Sequence, residues 1–328
     1  MASQTPARTI LSGMRSTNPR LHIGNYEGAL RNWVKLQDEY KMFSMVADWH
    51  ALTTHFEDPG DIGRNSREIA KDFIAGGIDP GRSAIFVQSH VKEHAELYLL
   101  FSMVTPLGWL ERVPTFKEKK AELQADSVPF GLLGYPVLQA ADILLYKPYG
   151  VPVGKDQAPH LEASREIGRR FNHLYKPVFP EFVNIIGDVA ILPGLDMRKM
   201  SKSYDNCIYL NESPDETAAK IQKAFTTPTK IKLTDPGVPE GCAVCQYLKL
   251  YSTNWETQWD EDRKGLRGCS QNKRECIEAV NEFLRPMREK RASISDGDIE
   301  SILEDGARQA REVAAATIAE VREAMTVY

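Results

Sequence analysis

The strongest constraint on this chain is the order of its apolar segments between residues 8 and 90. RTILSG (8–13) is a short apolar run ending in glycine, and FSMVADWHALT (43–53) and SAIFVQSH (83–90) are two more. Between the first two, residues 25–40 carry Tyr26, Ala29, Leu30, Trp33, Val34 and Leu36 at close to helical spacing. SREIAKDFIAGG (66–77) repeats the helical pattern and closes on two glycines. Strands separated by helices pair in parallel through right-handed crossovers. The pattern predicts an α/β fold with a doubly wound parallel sheet, whose ligands bind beyond the C-terminal ends of the strands. His22, Asp48, His50, Gln88 and His90 sit at or just past such ends.

Residues 105–150 read as a mainly helical insertion broken by Pro114, Pro129, Gly131, Gly134 and Pro136. VPVG (151–154) is a further short strand, followed by a helix of mixed charge over DQAPHLEASREIGRRF. From about residue 213 strands cease and amphipathic helices take over, notably 274–291 and 298–325. The expected division is an α/β domain over 1–206 and an all-helical domain over 207–328.

A length of 328 residues fits two such domains. No apolar run approaches the ~18 residues of a membrane span, so none is expected. The opening MASQTPARTILSG has no apolar signal core, which predicts a cytoplasmic protein. A net charge of −4 argues against a protein coated in nucleic acid, but permits a local basic face. The cysteines, Cys207, Cys242, Cys245, Cys269 and Cys276, are odd in number, and disulfides are not expected in such a chain.

Two short stretches carry chemistry. In LHIGNY (21–26), Gly24 permits close approach to the backbone, and a helix N-terminus offers free amides to an anion. His22 and Asn25 can both point donors into that opening. In RKMSKSY (198–204), Lys199 and Lys202 stand three apart among serines, next to Arg198. Like charges held together in a loop suit a site where phosphate charge grows and leaves, since positioned cations stabilise it with little covalent chemistry.

HIGN and KMSKS resemble the two signatures of class I aminoacyl-tRNA synthetases. GNYEGALRNW, ADWHALT, FKEK, YPVLQAADILLY and VPVGKDQAPHLEASREIGRRFN, in this order over nearly the whole chain, resemble the bacterial tryptophanyl branch. The resemblance implies a Rossmann-like catalytic domain, an anticodon-binding helical domain, and formation of tryptophanyl-adenylate from ATP with transfer to tRNA(Trp). It implies ATP with Mg²⁺, and a homodimer with tRNA spanning both subunits.

Residue by residue, the resemblance assigns catalytic roles to Lys199, Lys202, Lys119 and His22. On the ATP side it places Arg15, Ser16, Thr17, Gly24, Asn25, Gly154, Lys155, Asp156 and Ile191, together with Met200, Ser201 and Ser203 of the lysine loop. On the tryptophan side it places Asp142, Tyr135, Gln157, His50 and Gly13. Asp142 is the expected partner of the indole N–H, because indole has a single donor and a carboxylate accepts it strongly. Set unpaired in an apolar pocket, that carboxylate would penalise side chains without a donor.

The chain departs from the family pattern in MRSTNPRLHIGN, one residue longer than the usual lead-in, and at Gln139 and Leu11. Some relatives carry a four-cysteine iron–sulfur site in the helical region. Here Cys242 and Cys269 match it while Asp262 and Asn272 occupy the other positions, so Cys245 and Cys276 are the candidates to complete an iron–sulfur or zinc site. Lys220, Lys223, Lys230, Lys232, Lys264, Arg267, Lys273 and Arg274 are the expected basic face toward RNA. Other readings are a tyrosyl-tRNA synthetase, a small adenylyltransferase and a non-catalytic paralogue.

Overall fold

The computed structural model describes residues 8–113, 129–154, 157–187, 192–201 and 204–327. Five strands form one all-parallel sheet: β1 (Thr9–Arg15), β2 (Lys41–Ala47), β3 (Ser83–Val87), β4 (Gly150–Val153) and β5 (Val183–Ile186), in the order β3-β2-β1-β4-β5. The register is continuous, with Ile10 opposite Met42, Met42 opposite Ser83, and Gly150 opposite Val183. The order reverses between β1 and β4, and the C-terminal ends of those two strands define the crevice where such sheets bind ligands.

β2 and β3 are buried almost throughout, which is why they appear in the sequence as apolar runs rather than as alternating patterns. Alternate residues of β1 serve two cores: Ile10 packs with Trp33, Ile208, Ile221 and Tyr247, and Leu11 packs with Phe43, Phe86, Phe101 and Phe171. The first of these cores continues without a break into Leu284, Ile299 and Leu303 of the C-terminal helices.

The helical rod after β1 comprises Ile23–Asn25, the π-helical turn Tyr26–Leu30 and Arg31–Leu36. The other long helices are α1 (Ile62–Ala75), α2 (Glu93–Val104), α3 (Phe130–Leu144), α4 (Ala158–Leu174), α5 (Pro214–Lys223), α6 (Ala243–Tyr251), α7 (Trp255–Arg263), α8 (Cys269–Ala292) and α9 (Asp296–Met325). The stretch 43–53, expected as strand running into polar residues, is strand only to Ala47; Asp48–Leu52 is a short helix.

The last helix covers the sheet's edge. A Cβ at Gly306 of α9 would lie 1.9 Å from the backbone oxygen of Ile85 in β3, so only glycine allows this approach. An edge strand otherwise presents unpaired backbone groups, and a helix laid against it removes that template for aggregation.

Candidate active site

The HIGN turn lies immediately beyond β1. His22 is the N-cap, and its Nδ1 accepts from the backbone N–H of Asn25 at 3.2 Å while Asn25 Oδ1 accepts from the backbone N–H of His22 at 3.0 Å. This reciprocal capping box was not legible in the letters, because His and Asn stand where Ser/Thr and Glu/Gln normally do. With Nδ1 accepting, the neutral ring carries its proton on Nε2, leaving a donor for a ligand. Burial pushes the His22 imidazole down to about 4, so the neutral form prevails at working pH. The approach to the turn is anchored by Asp72 of α1: its carboxylate accepts from the backbone N–H of Leu21 at 2.8 Å and from Arg291 of α8 at 2.6 Å. Burial pushes the Asp72 carboxyl up to about 6 despite the Arg291 charge beside it.

The lysine loop meets this turn directly. Ile23 N–H donates to Ile208 O at 2.8 Å, and Leu210 N–H donates to Leu21 O at 2.9 Å, so the segment after the lysines pairs with HIGN. Met200 is buried against Gly24, where an added Cβ would stand 2.6 Å from its sulfur. Asn206 clasps the loop: its Oδ1 accepts from Ser201 N–H at 2.9 Å, and its amide donates to Asp196 Oδ1 at 2.7 Å and Lys199 O at 3.1 Å. Gly194 is glycine because a Cβ there would lie 2.3 Å from that amide nitrogen. Met197 and Asp205, one at each end, take φ of +66° and +47°, a left-handed conformation that a methionine rarely adopts. Arg198 is tied to Asp196 and lies 4.2 Å over the Tyr204 ring, whereas Lys199 is exposed and makes no ion pair among the described residues.

Around the same crevice, Arg15 is accessible at the end of β1, and Gly154 O accepts from Gln157 N–H at 3.0 Å after β4. Thr17 is half-buried. Ser16 is fully buried and its hydroxyl has no hydrogen-bond partner among the described residues, so the geometry does not bring it to the crevice surface. Lys119, Lys155, Asp156, Ile191, Lys202 and Ser203 lie outside the described residues.

Asp142 corrects one expectation. It is buried, but its surroundings are not apolar: His50 Nε2 lies 2.8 Å from Oδ2, His94 Nδ1 lies 2.7 Å from Oδ1, and the Gln88 amide reaches both oxygens at 2.8 and 2.9 Å. A buried carboxylate demands such donors. Burial alone would raise its pKa, but the His94 and His50 contacts outweigh it and hold the carboxyl down at about 2. Sequence reasoning named His50 and Asp142, noted Gln88 only by position, and missed His94, which lies on α2, and Tyr146, in the turn that ends α3. Tyr135 shares the α3 face with Asp142, and its hydroxyl is 3.5 Å from His160 Nδ1. A cleft of about 340 Å³ opens beside Tyr135, lined by Trp49, Leu52, Tyr98, Gly134 and Leu138. Gly13 is accessible at the end of β1, and a Cβ there would press on Met45 O at 2.9 Å.

The cysteines do not gather into a metal site. Asn272 donates to Asp262 Oδ1 at 3.0 Å, Arg267 donates to Asn272 Oδ1, and the Lys230 ammonium is 3.5 Å from Asp262. Cys245 takes a contact from the Asn272 amide at 3.9 Å, and among the described residues no three His, Cys, Asp or Glu side chains are placed to hold a metal. The same ion pairs correct the expected basic face. Lys230 and Arg267 are internal, and Lys220 is tied to Glu212 and Cys207 O at 2.6 and 2.8 Å, leaving Lys223, Lys232, Lys264 and Arg274 exposed.

A doubly wound sheet with these two loops meeting at its switch point defines a class I synthetase. Residues 3–285 match the family model of class I tRNA synthetases (W and Y), and the chain belongs to that family. The tryptophan–tRNA ligase of Thermotoga maritima is 49% identical over 329 residues, covering 97% of this chain and 99% of that protein. That of Aquifex aeolicus is 40% identical over 393 residues, with 97% and 99% covered. Among solved structures, tryptophanyl-tRNA synthetase from Campylobacter jejuni complexed with ADP and tryptophan superposes with a TM-score of 0.88 at 35% identity, covering 97% of this chain and 100% of that one. No helix among the described residues is long and apolar enough to cross a membrane.

Proposed function

We propose that this chain is a tryptophan–tRNA ligase. The observation that carries the reading is the meeting of HIGN and the lysine loop at the β1/β4 switch point, with Met200 seated on Gly24. The curated relatives at 37–49% identity, all tryptophan–tRNA ligases, favour tryptophan over tyrosine within the family.

ATP, carrying Mg²⁺ on its phosphates, enters the crevice between the two loops. The tryptophan carboxylate attacks the α-phosphorus, and the bond to the bridging oxygen breaks to release pyrophosphate. His22 Nε2–H, the backbone N–H of Gly24 and the side-chain amide of Asn25 hold the triphosphate. Lys199 and Lys202, with Lys119, neutralise the charge that develops on the leaving group. Ser201 and Ser203 shape that loop, while Arg15, Thr17, Gly154, Lys155, Asp156 and Ile191 hold the nucleotide. Asp142 receives the indole N–H, with Tyr135, Gln157, His50 and Gly13 around the substrate. The terminal ribose hydroxyl of the tRNA then takes the acyl group and AMP leaves.

The helices of 207–328 read the anticodon, two subunits act as a homodimer, and the enzyme works in the cytoplasm. The cysteines serve as free thiols, buried in all but Cys269. Charging of a tRNA(Trp) transcript by the purified protein, with tryptophan and ATP, tests the reading. Acylation with tryptophan is the expected result; charging of tRNA(Tyr) with tyrosine instead would overturn it.

A further inference from the structure

The carboxylate of Asp142 has two unlike halves. Oδ1 takes His94 Nδ1 and Gln88, and Oδ2 takes Gln88 and His50. A carboxylate offers about four acceptor positions, so both oxygens are occupied by the protein's own donors. The two histidines differ in setting. The His94 side chain is wholly inaccessible at 0%, whereas 11% of the His50 side chain reaches solvent. His94 also stacks near the Phe86 ring at 6.1 Å.

His94 is itself held by a third group. Its Nε2 lies 2.9 Å from the hydroxyl of buried Tyr146. An ionised carboxylate can only accept, so His94 must donate from Nδ1. A second proton on Nε2 would leave the Tyr146 hydroxyl proton without an acceptor among the described residues. The consistent arrangement is therefore directional: Tyr146 O–H donates to His94 Nε2, and His94 Nδ1–H donates to Asp142 Oδ1.

We propose that His94, oriented by Tyr146, is a specificity-determining positioning residue that fixes Oδ1, so that Oδ2 is the half of Asp142 offered to the substrate's N–H and His50 is the donor that gives way. This inference rests on the reading of Asp142 as the indole partner. With Oδ1 pinned, the carboxylate cannot rotate to follow a misplaced ligand, and a substrate lacking the N–H leaves His50 in place with no gain.

The test exploits the shapes of two amides. In His94→Asn the side-chain nitrogen takes the place of Nδ1 and keeps the bond to Asp142; in His94→Gln the amide oxygen takes the place of Nε2, accepts from Tyr146 O–H, and leaves Asp142 Oδ1 without that donor. Tryptophan-dependent pyrophosphate exchange is measured with tryptophan and with its benzothiophene analogue, which lacks the N–H. His94→Gln is expected to raise KM for tryptophan about ten- to hundredfold, the worth of a bond to a charged group, and to lower the preference for tryptophan over the analogue. His94→Asn is expected to retain most of both, Tyr146→Phe to fall between, and KM for ATP to stay unchanged in all three. Equal losses in the Asn and Gln variants, or matched rises in both KM values, would overturn the proposal. An unmodified protein showing no preference for tryptophan over the analogue would instead sink the reading of Asp142 itself.

Discussion

The sulfur of Met200 occupies the space that a Cβ on Gly24 would need, 2.6 Å from where that atom would stand. The two signature loops, about 175 residues apart in sequence, are thus packed directly on each other. Gly24→Ala must push Met200 away or tilt the turn. Since an error near 1 Å in a reacting geometry costs about 100-fold, kcat/KM for ATP should fall by that order while KM for tryptophan holds. Titrating both substrates in pyrophosphate exchange checks this.

Asn206 holds Ser201, Lys199 and Asp196 through one amide. Asn206→Ala removes three hydrogen bonds from a half-buried loop, at about 1–3 kcal/mol for the worst placed. A fall in kcat of about tenfold or more is expected, with little change in tryptophan affinity. Asn206→Asp should not rescue it, because the new carboxylate faces that of Asp196.

Acid titration should report on His22. Its folded-state pKa is lowered to about 4 from 6.5 by burial, so between these values the unfolded chain binds more protons. Its contribution to stability is complete above pH 6.5 and declines as pH falls toward 4. Asp72, raised to about 6, acts in the opposite sense between 3.8 and 6. The difference between the unmodified protein and His22→Gln removes the Asp72 contribution, and denaturant midpoints for the pair should converge as pH drops from 6.5 to 4.

Which parts of this arrangement the letters disclosed follows from burial. β2 and β3 are apolar runs because both faces are covered, and HIGN and KMSKS are short contiguous stretches. β5 went unread because its four residues VNII are only partly buried at the sheet's other edge, leaving neither a run nor an alternation. The helix Asp48–Leu52 follows its strand without a breaker, so nothing in the letters marks the change. Asp72, His94, Tyr146 and Asn206 act through partners on other elements, and no local spacing encodes such a bond. Lys230 and Arg267 look like surface cations until their buried acids are located.

Replacing a helical glycine by alanine normally stabilises by about 1 kcal/mol. Gly306→Ala should do the reverse, because its Cβ would stand 1.9 Å from Ile85 O. Forcing α9 off β3 is expected to cost about 2–4 kcal/mol, read as a lower midpoint in urea. An unchanged or higher midpoint would show that the helix does not sit on that edge.

Amino-acid-dependent exchange of labelled pyrophosphate into ATP, with no tRNA present, tests the central claim most directly. Tryptophan alone among tryptophan, tyrosine and phenylalanine should support exchange, and Lys199→Ala should abolish most of it. Exchange driven by tyrosine, or by no amino acid at all, would contradict the account.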